Sequence, residues 1–134
     1  MEIAQSYSMT VLALGVLAVV MYCQLLVADV IGLRSGHIPG ALVPVDHENP
    51  LFRATRTVAN TNESIAIFIL AILFCAMSGA PAAATAYAAW SFVIARILYA
   101  VCYYSNLKLL RSSVFVISLV ALAALLVIGS SVWL

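Results

Sequence analysis

Four stretches of mostly apolar residues, separated by polar breaks, run along this chain, and their lengths decide the architecture. A helix that crosses a bilayer needs about 20 predominantly apolar residues, and lipid admits only helices or closed barrels because no water is there to satisfy backbone groups. Residues 9–31 form the first such run, and residues 113–134 form a last one without a single charge. Residues 82–104 form a third, interrupted only by Arg96. Between them, Ser64 to Met77 supplies 14 residues, too few to cross. The second helix is therefore expected to begin near Leu51 and run to residue 77, carrying Arg53 to Glu63 into the bundle. The expected fold is all-α, an integral membrane four-helix bundle with residues 1–134 as one domain.

The connections predict a sidedness. Gly32 to Pro50 is a long loop with two His, three Pro and three Gly, Ser78 to Pro81 is a tight hairpin, and Ser105 to Ser113 links the last two helices. Arg34, Arg53, Arg56, Lys108 and Arg111 all fall on the side of the first and third connections, whereas the two ends and the hairpin carry no Lys or Arg. The positive-inside rule then puts the first and third loops in the cytoplasm and both termini outside. The opening MEIAQSYS lacks the basic n-region of a cleaved signal peptide. A plasma (inner) membrane location is expected.

Composition narrows the function. Hydrophobic residues make up 66% and charged residues 8%, against about 45–50% and about 25% in soluble domains, which excludes a water-soluble globule. A net charge of +1 with scattered basic residues excludes a nucleic-acid footprint. Cys23, Cys75 and Cys102 sit in apolar runs without metal-ligand spacing and read as small hydrophobes. Asp46-His47-Glu48 are three adjacent loop residues, an arrangement that rarely converges on one ion, so no metal is expected. Ala82 to Ala89 offers a small-residue surface for close helix packing.

The remaining polar residues are patterned. Arg53, Arg56, Asn60 and Glu63 are spaced three, four and three, which keeps them on one helical face. Arg96, Tyr99 and Tyr103 repeat that pattern on the third helix, which runs the opposite way. Counting inward puts Glu63 and Arg96 at similar depth. A charge at a helix centre costs about 2.5–3.5 kcal/mol on insertion scales, so the expectation is a Glu63–Arg96 pair at the floor of a cleft open to the cytoplasm. Such a pair could serve register alone. With Asn60, Tyr99 and Tyr103 beside it, the cluster suits a polar, anionic small molecule.

Those residues carry a resemblance. Arg56, Asn60 and Glu63 form an RxxxNxxE stretch preceded by Asn49-Pro50 and Phe52-Arg53-Ala54, and Arg96-Ile-Leu-Tyr99 leads to Tyr103 on the third helix. Together with the length, four helices and long first loop, this resembles the MAPEG family, membrane-associated proteins of eicosanoid and glutathione metabolism, in particular its microsomal glutathione transferases. The resemblance implies a homotrimer with glutathione as co-substrate bound between subunits near the cytoplasmic face. It implies glutathione-binding roles for Arg34, Arg53, Arg56, Asn60, Glu63, Arg96, Tyr99 and Tyr103. Arg111 and Ser112 resemble the family's arginine and serine beside the thiol.

The chemistry suits these residue types. Glutathione offers two carboxylates and an ammonium to arginines and a glutamate, through charge-assisted hydrogen bonds. A free thiol has a pKa of about 8.5, and a guanidinium beside it favours the thiolate. Arg111 is the candidate for that role, with Tyr103 and then Arg34 as alternatives. The expected activity is a detoxifying transferase or peroxidase acting on a lipophilic electrophile or hydroperoxide arriving from the bilayer. Two other classes remain open: a four-helix small-molecule/proton exporter using Asp29 or Glu63, and a non-catalytic binding or scaffold protein. Neither predicts glutathione binding.

Overall fold

A computed structural model describes residues 5–134; the first four residues of the N-terminal segment used in the sidedness argument lie outside the described residues. Among the described residues the long elements are four helices: α1 (Ser8–Arg34), α2 (Pro50–Ser78), α3 (Ala82–Tyr104) and α4 (Lys108–Ser130). Each is long and apolar enough to cross a membrane, and the chain is a multi-pass integral membrane protein with an all-α fold. α1 packs on α2 and α3, α2 packs also on α3 and α4, and the α3–α4 contact is the most extensive.

α2 starts early because its first turn is chemically prepared. Asn49 stands in extended backbone at the N-cap, its Oδ1 accepts from the Leu51 N–H at 2.9 Å, and Pro50 fills the first helical position. Proline there loses nothing, since that N–H has no intrahelical partner anyway. The polar residues that follow stay compatible with a helix in lipid: the hydroxyls of Thr55, Thr57 and Thr61 donate back to the carbonyls of Leu51, Arg53 and Thr57. At the far end Gly79 takes φ 70°, and the N–H groups of Gly79 and Ala80 close onto Ala76 and Cys75. That left-handed residue lets α3 begin immediately after Pro81.

α4 departs from the expected boundaries. It begins at Lys108 and ends at Ser130, not at residues 113 and 134, so the connection from α3 is only residues 105–107. The Ser112 and Ser113 hydroxyls donate to the Lys108 and Leu109 carbonyls, which makes both serines helix residues and not linker. Asn106 makes the reversal at φ 57°, a conformation asparagine tolerates. Arg111 and Ser112 therefore sit in the opening turns of a helix.

The core lies toward the hairpin end. Phe68 and Phe92 stack with centroids 4.2 Å apart, and Ala13, Leu17, Cys75, Ala89, Val93 and Leu125 close around them. Thr85, Ala88 and Ala89 are buried, the small surface by which α3 approaches its neighbours. Tyr7 donates to the Ala80 carbonyl, and Trp133 Nε1 donates to Ser78 Oγ at 3.0 Å. Residue 7, the hairpin and the C-terminal end of the chain thus share one end of the bundle. The long loop and the 105–107 turn share the other, joined by Asn106 Nδ2 donating to Glu48 Oε1 at 3.0 Å.

The cap on α2 is testable. Asn49→Ala is expected to destabilise the protein by about 1 kcal/mol through the lost hydrogen bond, read as a lower melting temperature in detergent, while Asn49→Ser or Asn49→Asp retains most of the stability.

Candidate functional site

The polar stripe of α2 divides when the helix packs. Each residue advances 100° around an α-helix, so a three-residue step falls about 60° short of a full turn and a seven-residue step returns to nearly the same direction. Arg56 and Glu63, seven apart, lie together on the outer side of α2, with Arg56 Nη1 2.9 Å from Glu63 Oε1 and side-chain exposures of 42% and 56%. Asn60 and Thr61 are turned inward and buried.

That division overturns the expected Glu63–Arg96 pair. Arg96 is buried at 0% exposure, but its Nη2 donates to Asn60 Oδ1 at 2.6 Å and to Thr61 Oγ1 at 3.2 Å, and no carboxylate lies within 4.0 Å of it among the described residues. Depth along the axis matches as counted; direction around α2 does not, and Glu63 takes the arginine one face along from Asn60. The Arg96 guanidinium lies 4.5 Å from the centroid of the Tyr99 ring, whose π face offers partial negative charge. Its Nε and Nη1 have no hydrogen-bond partner among the described residues.

A chain of aromatic and cationic groups leads from there toward the loop end. Tyr99 and Tyr103 have ring centroids 5.4 Å apart, and the Arg111 guanidinium lies 4.5 Å over the Tyr103 ring. A cavity of about 280 Å³ opens among Asn60, Tyr99, Arg111, Ser112, Phe115 and Val116. It joins one residue of α2, one of α3 and four from the first three turns of α4, with Asn60, Arg111 and Ser112 polar and Phe115 and Val116 apolar. That volume of about 280 Å³ falls just short of the usual range of ligand pockets, about 300–1,000 Å³.

Of the residues singled out in the sequence, Asn60, Tyr99, Arg111 and Ser112 meet at this cavity, with Arg96 behind Asn60 and Tyr103 beneath Arg111. Arg53 is committed elsewhere: its Nη1 donates to the backbone carbonyls of His47 at 2.7 Å and Glu48 at 3.0 Å, which fastens the loop to α2. Arg34 is exposed at the last turn of α1 and makes no ion pair among the described residues. Three participants were not singled out for this site, Phe115, Val116 and His47. Phe115 and Val116 supply the apolar wall, and nothing in an unbroken apolar helix distinguishes them. His47, whose Nδ1 lies 3.2 Å from Arg111 Nη1, is legible only as a polar loop residue close ahead of the α2 cap.

Removing the hydrogen-bond acceptor should cost more than removing the charge. Asn60→Leu strips Arg96 of its shortest hydrogen bond and is expected to lower stability by about 1.5–3 kcal/mol, the range for hydrogen bonds to charged groups. Arg96→Met removes the demand itself and is expected to be nearly neutral to stability, as replacements of buried ions by apolar residues often are. Thermal melts of both variants and the double variant check this: Asn60→Leu should cost little once Arg96→Met is present, and an additive double variant contradicts the coupling.

A family model described as "MAPEG family" matches residues 9–130 of the chain. No curated protein and no solved structure matches it. A match over that span, on a chain whose four helices are all able to cross a membrane, shows that the protein belongs to the MAPEG family, membrane-associated proteins of eicosanoid and glutathione metabolism.

Proposed function

We propose that this protein is a membrane-bound glutathione transferase or peroxidase, in which the chain prepares the glutathione thiol for a lipophilic electrophile or hydroperoxide. The observation that carries this reading is a cavity flanked by two guanidiniums, Arg111 on its wall and Arg96 behind Asn60, with no carboxylate within 4.0 Å of either among the described residues. Such a site lacks negative charge, which an anionic ligand brings. Glutathione supplies two carboxylates, an ammonium and a thiol that is nucleophilic only as the thiolate.

The residues present fit that molecule. Asn60 Oδ1 is spent on Arg96, which leaves its amide N–H groups as donors, and Arg56 and Glu63 offer one charge of each sign on the adjoining face. Arg111 stabilises negative charge on sulfur, since an opposite charge close by favours the ionised form. Tyr103 holds the guanidinium by its ring face, and the Ser112 hydroxyl, whose proton goes to the Lys108 carbonyl in the ligand-free chain, lines the same wall. Phe115 and Val116 form the apolar side on which a substrate from the bilayer would lie.

Arg56, Asn62 and Glu63 lie partly or fully exposed on α2, a helix in the membrane. A charge at a helix centre costs about 2.5–3.5 kcal/mol against lipid, so this face calls for cover. A neighbouring copy supplies it in the proposed homotrimer, which would also enlarge a cavity that is small in one protomer. The basic end of the bundle, with the site near it, faces the cytoplasm in this reading, in a plasma membrane with both termini outside. The exporter reading gains no support, because Glu63 is neutralised by Arg56 and Asp29 is exposed near the end of α1.

Titration with glutathione tests the proposal. Saturable binding at neutral pH should be accompanied by thiolate absorbance near about 240 nm, because a neighbouring cation lowers the thiol pKa. Arg111→Ala is expected to remove most of that absorbance and the turnover, with affinity held within about threefold, the pattern of an interaction made with the reacting atom. Arg56→Ala is expected to weaken binding first. A protein that binds no glutathione is not this enzyme.

A further inference from the structure

The end of the long loop is fastened to three helices at the mouth of the cavity. Its backbone is held by Arg53 of α2, which takes the His47 and Glu48 carbonyls, and the Glu48 N–H donates to Asp46 Oδ1 at 2.9 Å. The Glu48 carboxylate accepts from Asn106 in the α3–α4 turn and lies 3.9 Å from Lys108 Nζ of α4. The His47 ring is set edge-on to Phe52, with centroids 5.1 Å apart at 85°, and 6.1 Å from the Tyr103 ring of α3. So placed, its Nδ1 lies 3.2 Å from Arg111 Nη1.

The chemistry of that contact has one solution. A guanidinium has donors only, so Nδ1 must accept and His47 is a neutral imidazole with its proton on Nε2. Arg111 is thereby gripped twice, at one N–H by His47 and across its face by the Tyr103 ring, while its side chain still lines the cavity. A long arginine side chain loses much rotamer freedom when fixed, and fixing it before the ligand arrives removes that cost from the reaction.

We infer that His47 is a positioning residue for the proposed thiol chemistry: its Nδ1 orients the Arg111 guanidinium toward the sulfur position without itself touching the reacting atoms. This rests on the reading of the protein as a thiol-activating enzyme. It adds a loop residue to a site otherwise built from helices, and it makes the loop from residue 35 to 49 part of the catalytic apparatus.

Two variants separate the acceptor from the ring. His47→Phe keeps an aromatic ring between Phe52 and Tyr103 but offers no acceptor; His47→Asn gives up the ring but places an amide oxygen close to where Nδ1 stood. His47→Phe is expected to lower kcat and thiolate absorbance about tenfold with glutathione affinity nearly unchanged, and His47→Asn to restore most of both. Equal thiolate formation in wild type and His47→Phe, or equal loss in both variants, overturns the role of Nδ1 while leaving the enzyme reading standing. A wild type that binds glutathione without forming thiolate overturns the enzyme reading and this inference with it. Nitrogen-15 NMR of the ligand-free wild type provides a check that needs no glutathione: the expected unprotonated nitrogen of His47 is Nδ1, and a proton found there overturns the Arg111 contact itself.

Discussion

The guanidinium of Arg96 lies in the middle of the bundle with no carboxylate within 4.0 Å among the described residues, and the placement of the neighbouring helices follows from how that charge is accommodated. Its shortest contact is to Asn60 Oδ1 and its second to Thr61 Oγ1, both on α2, while the Tyr99 ring on its own helix covers its face. For α2 to deliver Asn60 at that depth, it must enter the membrane region with Arg53 and Arg56 already in helical form. The Asn49 cap and Pro50 make that entry possible, and the threonines that follow return their hydroxyls to the helix backbone. A cation held by an amide, a hydroxyl and a π face is stabilised in place yet not neutralised. It leaves positive potential beside a cavity.

The two faces of α2 then have different work. The inner face binds Arg96 and reaches the cavity through Asn60. The outer face carries the Arg56–Glu63 pair, and two half-exposed charges on a membrane helix are tolerable only against polar cover. The proposed homotrimer would supply that cover from a second copy. In the proposed homotrimer a neighbouring copy would both cover this polar surface and enlarge the small cavity.

At the loop end the chain gathers cations whose charges are answered differently. Lys108 lies 3.9 Å from a carboxylate oxygen of Glu48, and Arg53 is bonded to backbone carbonyls. Among the described residues Arg111 has a neutral acceptor and an aromatic ring, and no carboxylate within 4.0 Å. The difference matters for chemistry, because an arginine paired with a carboxylate offers little net charge to a developing anion. Loop, turn and helix end together keep Arg111 oriented while leaving its charge available.

The four membrane crossings, the extension of α2 beyond its apolar half and the nearness of Asn60 and Tyr99 to Arg96 were legible in the sequence, while Arg111 entered only through the family resemblance. Lipid acts on each segment separately: it demands a certain length of apolar helix and makes every interrupting charge conspicuous. The start of α4 was less legible, since Ser112 and Ser113 resemble linker residues until their hydroxyls are seen to bond within the helix. Partner choice was not legible. Spacing puts Glu63 and Arg96 at one depth, but only packing decides which side of α2 faces α3, and it presents Asn60. Nor could spacing bring His47 to Arg111, 64 positions apart, because the path of a loop is set by the guanidiniums, amides and rings that its carbonyls and side chains meet on other elements. Periodicity and hydropathy are properties of one segment in its solvent. The direction a side chain takes among several polar neighbours is a property of all the segments at once, and the tertiary structure alone decides it.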